Sequence, residues 1–200
     1  LTGFNCFLPF PVLADLFELI KQMGLERERL PIIVAGGLAD SAKVKQAIFE
    51  WGASAVQIGS AFAVTHEGDA DVRFKQHLLN STPEDVVEFM SVAGLPARGV
   101  RSQFLTQYLK REQKLQANAK ADPRRCVQGM NCLSVCGLRD GIASMGQFCI
   151  DQKLSAALHG DVRRGLFFKG STPLPFANRM TSVRETIAHL MKDLRLATPD

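Results

Sequence analysis

Apolar residues recur at Val12, Leu13, Leu16, Phe17 and Ile20, three, four and seven positions apart, with Gly24 as a stop. This spacing predicts an amphipathic helix over residues 11–23. Pro31-Ile-Ile-Val-Ala35 is a short unbroken apolar run, as expected of a strand covered on both faces in a parallel sheet, and Gly36-Gly37 ends it. Asp40-Ser41 offers a cap for a second helix with Val44, Ala47, Ile48 and Trp51 on one face, closed by Gly52. A second buried strand, Ala55-Val-Gln-Ile58, then runs into Gly59-Ser60. Helix, strand, helix and strand in this order is the grammar of a parallel α/β protein.

Farther along, the pattern predicts a helix over 71–79, an apolar run over 86–92 and a helix over 100–114. Residues 113–125 are polar and charged, with Asp122-Pro123 as a breaker, and read as a linker. Residues 126–146 hold four glycines and three cysteines and read as an irregular, tightly turned loop. Residues 148–158 are helical in pattern, and 166–168 suit a short strand. Ser182-Val-Arg-Glu185 is a capping box opening a last helix through Leu194. The expected organisation is an α/β part over 1–115 followed by a cysteine-bearing, mostly helical extension over 116–200.

Composition narrows the class. With 200 residues, 46% of them hydrophobic and 22% charged, the chain has the make-up of one globular domain with at most a small appendage. Asp15, Glu18 and Lys21 interrupt the most apolar stretch, so no membrane-spanning helix is expected. The net charge of +4 is too mild to imply nucleic acid. Nine Lys or Arg face two acids between Arg98 and Arg139, which suits a solvated basic face or a local anion-facing one. The opening Leu-Thr-Gly-Phe-Asn-Cys has neither the basic region nor the cleavage site of a signal peptide, and it reads like the middle of a longer polypeptide. Five cysteines without a secretory signal point to free thiols or a metal centre in a reducing cytoplasm.

Candidate chemistry lies first at the two strand ends, Val34-Ala-Gly-Gly37 and Val56-Gln-Ile-Gly-Ser60. Ligands of parallel α/β folds sit at the C-terminal ends of the strands, where glycine lets backbone N–H groups approach a phosphate. Two adjacent ends of this kind make a phosphate cradle, with Ser60-Ala61-Phe62 opening a short helix beside it. The alternative is that the glycines only make tight turns.

The stretch IIVAGGLADSAKVKQAIFEWGASAVQIGSAF, the later LPARGVRSQFL and the tail GDVRRGLFFKGSTPLPF resemble the C-terminal half of the FMN-dependent nitronate monooxygenases, also called 2-nitropropane dioxygenases, and their enoyl-acyl-carrier-protein reductase relatives. The resemblance implies a (β/α)8 barrel, with FMN phosphate held at Gly36, Gly37, Gly59 and Ser60 and with Gln57 near the cofactor. Ser60 stands where the family commonly has Thr. One residue more than usual separates the two glycine motifs, so the helix between them, or its turn, is expected to be altered. The family's catalytic His belongs to a Gly-Gly-His loop upstream of the first of these strands, so no catalytic residue is assigned in this chain. The activity implied is oxidation of a small nitronate by oxygen. The alternatives are NAD(P)H-dependent enoyl reduction or a non-catalytic electron-transfer or cofactor-binding module. Association into a homo-oligomer is compatible with either enzyme.

Neither the histidines nor the cysteines supply a clear second site. His66 follows the second strand and reads as a loop residue, while His77, His159 and His189 fall in helical patterns and read as structural. Cys126, Cys132, Cys136 and Cys149 leave three readings open. Only the 132–136 gap suits zinc. The last two gaps resemble those of flavin-barrel reductases with a 4Fe-4S cluster. Buried thiols without a metal are the third reading.

Overall fold

The structure, a computed structural model, describes residues 9–126, 132–170 and 173–194. It opens with helix α1 (Pro9–Gln22), which buries Leu13 against strand β1 (Ile33–Ala35) and its neighbours. The Asp40 carboxylate accepts the Lys43 N–H at 2.8 Å and so starts helix α2 (Ser41–Lys45). The helix widens into a π turn over Gln46–Glu50, where the Trp51 N–H donates to the Gln46 carbonyl at 2.9 Å. A π turn accommodates one residue more than an α turn. It falls in the helix where the spacing of the glycine motifs calls for an extra residue. Strand β2 (Ala55–Gln57) then pairs in parallel with β1, Val34 opposite Val56 and Ala35 opposite Gln57. This β1–α2–β2 unit is the α/β element read from the sequence. Its covering differs: Val34 is 6% exposed but Ile33 is 60% exposed, so the described residues cover one face of β1, not both.

After β2 come the short helix α3 (Ser60–Ala63) and helix α4 (Val72–Leu79), the latter capped by the Asp71 carboxylate. Strands β3 (Val86–Met90) and β4 (Pro96–Val100) form an antiparallel hairpin around a turn with Gly94 at φ +81°. The hairpin replaces the start of the helix expected over 100–114. That helix is split as well, into α5 (Gln103–Leu109) and α6 (Glu112–Ala117), so part of the expected linker is helical.

Helices α7 (Gly137–Asp140) and α8 (Ile150–Leu158), strand β5 (Phe167–Phe168) and helix α9 (Val183–Leu190) complete the fold. The Ser182–Glu185 capping box is present at the start of α9. The segment beyond residue 115 is not set apart in its packing. β5 is the third strand of the hairpin sheet, pairing antiparallel with β4 at Val100–Phe167. Leu190 of α9 shares a core with Leu13, Val34 and Val44, and Phe167 shares one with Val64, Leu78 and Val100. A third core gathers Phe89, Leu105, Tyr108, Phe148 and Leu166. Each core therefore draws on residues from both sides of position 115. Among the described residues, no helix is long and apolar enough to cross a membrane.

Candidate cofactor site

A pocket of about 120 Å³ opens at the C-terminal ends of β1 and β2. Gly36, Gly37, Gln57, Gly59 and Ser60 all line it, so the parallel pairing brings the two glycine motifs together. Gly36 and Gly37 turn the chain out of β1 at φ +89° and +71°, in the left-handed region where a side chain is strained. A Cβ built on Gly36 or on Gly59 would meet no atom within 4 Å, so the bare backbone at both positions faces open space. Ser60 begins α3, whose first N–H groups are those a helix leaves without internal partners. None of the described lining residues is charged. The pocket thus offers backbone dipoles, one hydroxyl and one amide, a donor set suited to a phosphate rather than to a metal ion.

Three lining residues come from the far end of the chain: Gly170, Pro173 and Leu174. They were not recognised in sequence as site residues. The available signal was local, because the apolar run over 166–168 ends near a glycine just as the two cradle strands do. A Cβ on Gly170 would likewise meet nothing within 4 Å.

The histidines stand away from the pocket lining. His66 is exposed and its N–H donates to the Thr181 carbonyl at 2.8 Å. His77 packs 4.4 Å from the Phe167 ring, and burial pushes its pKa down. His159 caps its own helix through Nδ1 on the Ser155 carbonyl, and His189 packs on Phe176.

The described residues do not assemble the cysteines into a metal site. Cys132, Cys136 and Cys149 are free thiols, and among the described residues no three of His, Cys, Asp and Glu are placed to hold a metal. The thiols sit on separate elements: Cys126 closes a 3-10 turn, Cys136 precedes α7 and Cys149 precedes α8. Residues 127–131 of the cysteine loop lie outside the described residues. Around 132–140 the organising group is a guanidinium. Arg139 donates to the carbonyls of Leu133 and Ser134, both at 3.0 Å, and pairs with Asp140 at 2.7 Å. That pairing holds the Asp140 carboxyl down at about 2.

Paired strand ends with glycine turns define an α/β protein whose exposed backbone donors suit an anionic ligand. Comparison with known proteins makes the class specific: residues 9–193 match the family model described as nitronate monooxygenase, and the chain belongs to that family. A probable nitronate monooxygenase of Bacillus subtilis is 37% identical over 78 residues, covering 39% of this chain and 22% of the relative. Among solved structures, FabK from Thermotoga maritima aligns with a TM-score of 0.57 at 25% identity, covering 83% of this chain and 44% of that one. Nitroalkane oxidase from Streptomyces ansochromogenes aligns with a TM-score of 0.57 at 19% identity, covering 94% and 44%. The chain matches less than a quarter of the length of the curated relative and less than half of either solved structure.

Proposed function

We propose that this chain carries the phosphate-binding portion of an FMN-dependent oxidoreductase that oxidises a small nitronate with oxygen, β1 and β2 being neighbouring strands of a (β/α)8 barrel. The observation that carries the reading is the uncharged pocket where both glycine turns face open space. Family membership supports the chemistry. Gly36, Gly37, Gly59 and Ser60 would hold the phosphate through N–H groups and the Ser60 hydroxyl, and Gln57 would direct its amide toward the cofactor. Bound flavin would supply the two-electron chemistry, taking electrons from the carbanion and passing them to oxygen. The residues of this chain anchor and orient; none is assigned the proton-abstracting role.

The test is flavin content and turnover of the purified protein. The expected results are FMN retained at about one per protein and lost in Gly59→Val, with oxygen consumed when an alkyl nitronate is added. Unchanged flavin in Gly59→Val overturns the cradle. NAD(P)H-dependent reduction of an enoyl thioester, without nitronate turnover, replaces the substrate assignment with the reductase.

A further inference from the structure

Beyond the cradle lies a second pocket, of about 470 Å³, that shares Pro173 and Leu174 with it and is otherwise built from different residues. Its cation is Lys169. Alternation along the strand places Lys169 on the same side as Phe167, and the residue is 5% exposed. Lys75 is equally buried, and the comparison is informative: its Nζ donates to the carbonyls of Gly68 at 2.7 Å and His66 at 3.2 Å. Among the described residues, the Lys169 ammonium has no such partner. Asp85 acts on it electrostatically but forms no ion pair with it. The Asp85 carboxylate is instead taken by the Thr82 N–H at 2.9 Å and the Thr82 hydroxyl at 3.0 Å.

The Lys169 side chain is buried while its ammonium keeps contact with solvent at the pocket, where no described acceptor meets it. Burial accordingly pushes the Lys169 pKa down. The exposed Asn80 and Asn178 side chains also line the pocket, each able to donate or accept, while Leu79 and Pro83 give it an apolar wall. Ala177, also on the lining, stands at φ +53°, the left-handed region, as the one non-glycine residue there among those described.

We propose that Lys169 and this pocket form a binding site for a small oxyanion, a carboxylate or phosphate group on an apolar body, separate from the glycine cradle. The anion oxygens accept hydrogen bonds from Lys169 Nζ and from the two asparagine amides, and the apolar body lies on Leu79 and Pro83.

The test is calorimetric titration of the protein, in chloride buffer, with inorganic phosphate in one arm and butyrate in the other. Wild type, Lys169→Met and Gly59→Val are compared. Saturable binding of either anion is expected, weakened tenfold or more in Lys169→Met and changed less than twofold in Gly59→Val. Butyrate alone identifies a carboxylate ligand, and phosphate alone a phosphate ester. Binding abolished by Gly59→Val and untouched by Lys169→Met assigns the anion to the cradle and overturns the proposal, as does no saturable binding of either anion. If Lys169→Met does not fold, lysine acetylation of the wild type read by mass spectrometry decides. Protection of Lys169 by the same anion supports the site, and unchanged acetylation overturns it.

Discussion

The Ser41 hydroxyl accepts a hydrogen bond from the Asp193 N–H at 2.8 Å, joining the first turn of α2 to the chain just beyond α9. The contact fixes the last helix against the unit that carries both glycine turns. Ser41 is buried, and the contact is partly shielded from water.

Ser41→Ala is therefore expected to lower the free energy of unfolding by about 1–2 kcal/mol, the cost of a lost hydrogen bond and an unsatisfied N–H. A lower urea midpoint at unchanged slope is the signature. An unaltered midpoint would show that the contact contributes nothing.

Gly36 and Gly59 separate backbone strain from ligand exclusion. Both face open space, but Gly36 has φ +89° and Gly59 has φ −107°. Gly36→Ala should destabilise the apo protein by roughly 1–2 kcal/mol, the cost of a left-handed alanine. Gly59→Ala should leave apo stability within about 0.5 kcal/mol of wild type, as for a substitution without a strained backbone or a clash, yet reduce flavin retention. Equal melting behaviour of the two variants would contradict this difference.

Phe167 is fully buried, 5.5 Å from the Phe74 ring and 4.4 Å from the His77 ring, whereas the adjacent Phe168 is 39% exposed. Phe167→Ala should cost about 3–5 kcal/mol through the cavity it leaves, and Phe168→Ala much less. Hydrogen exchange should show the loss in β4 as well as in β5, since Val100 pairs with Phe167. Loss confined to residues after 115 would mean that the two segments fold independently.

Burial moves the His77 pKa down from its ordinary 6.5, although Asp85 and a hydrogen bond with the Arg101 backbone favour the charged ring. The unfolded chain then binds this proton more readily than the folded one. Stability from the neutral ring is complete above pH 6.5 and declines as pH falls through the lower folded value. His77→Phe should flatten the dependence of the melting midpoint on pH between about 7 and 5, where a histidine titrates. A slope identical to wild type would assign the pH dependence to other groups.

The parts of the fold legible in the sequence are those dictated by local rules. Val34 and Val56 announced strands, though not their one-sided covering, Asp40 and Ser182 announced helix starts, and the glycines after each strand marked the turns that line the pocket. The β3–β4 hairpin was hidden because Pro96-Ala-Arg-Gly99 has no alternation of apolar and polar residues. Gly99 is required there by a neighbour remote in sequence, since a Cβ would lie 2.9 Å from the Phe167 carbonyl. The break between α5 and α6 falls among residues with ordinary helical propensity, so nothing local marked it. Cysteine spacing was legible, but convergence of the thiols is a property of packing. Gly170, Pro173 and Leu174 escaped for the same reason.

The cradle's walls come from residues 36–39 and 57–61 and from Gly170, Pro173 and Leu174, so the site joins segments that lie far apart along the polypeptide. Such a pocket cannot close early in folding, because the loop between its walls must first be ordered at an entropic cost. During synthesis the β1–α2–β2 unit leaves the ribosome well before the third wall exists. On the proposed reading cofactor capture is therefore a late event, because Gly170, Pro173 and Leu174 must be in place first. On the same reading the liganded state is stabilised in proportion to the logarithm of free ligand concentration, so cofactor supply would govern how long the finished molecule escapes proteolysis.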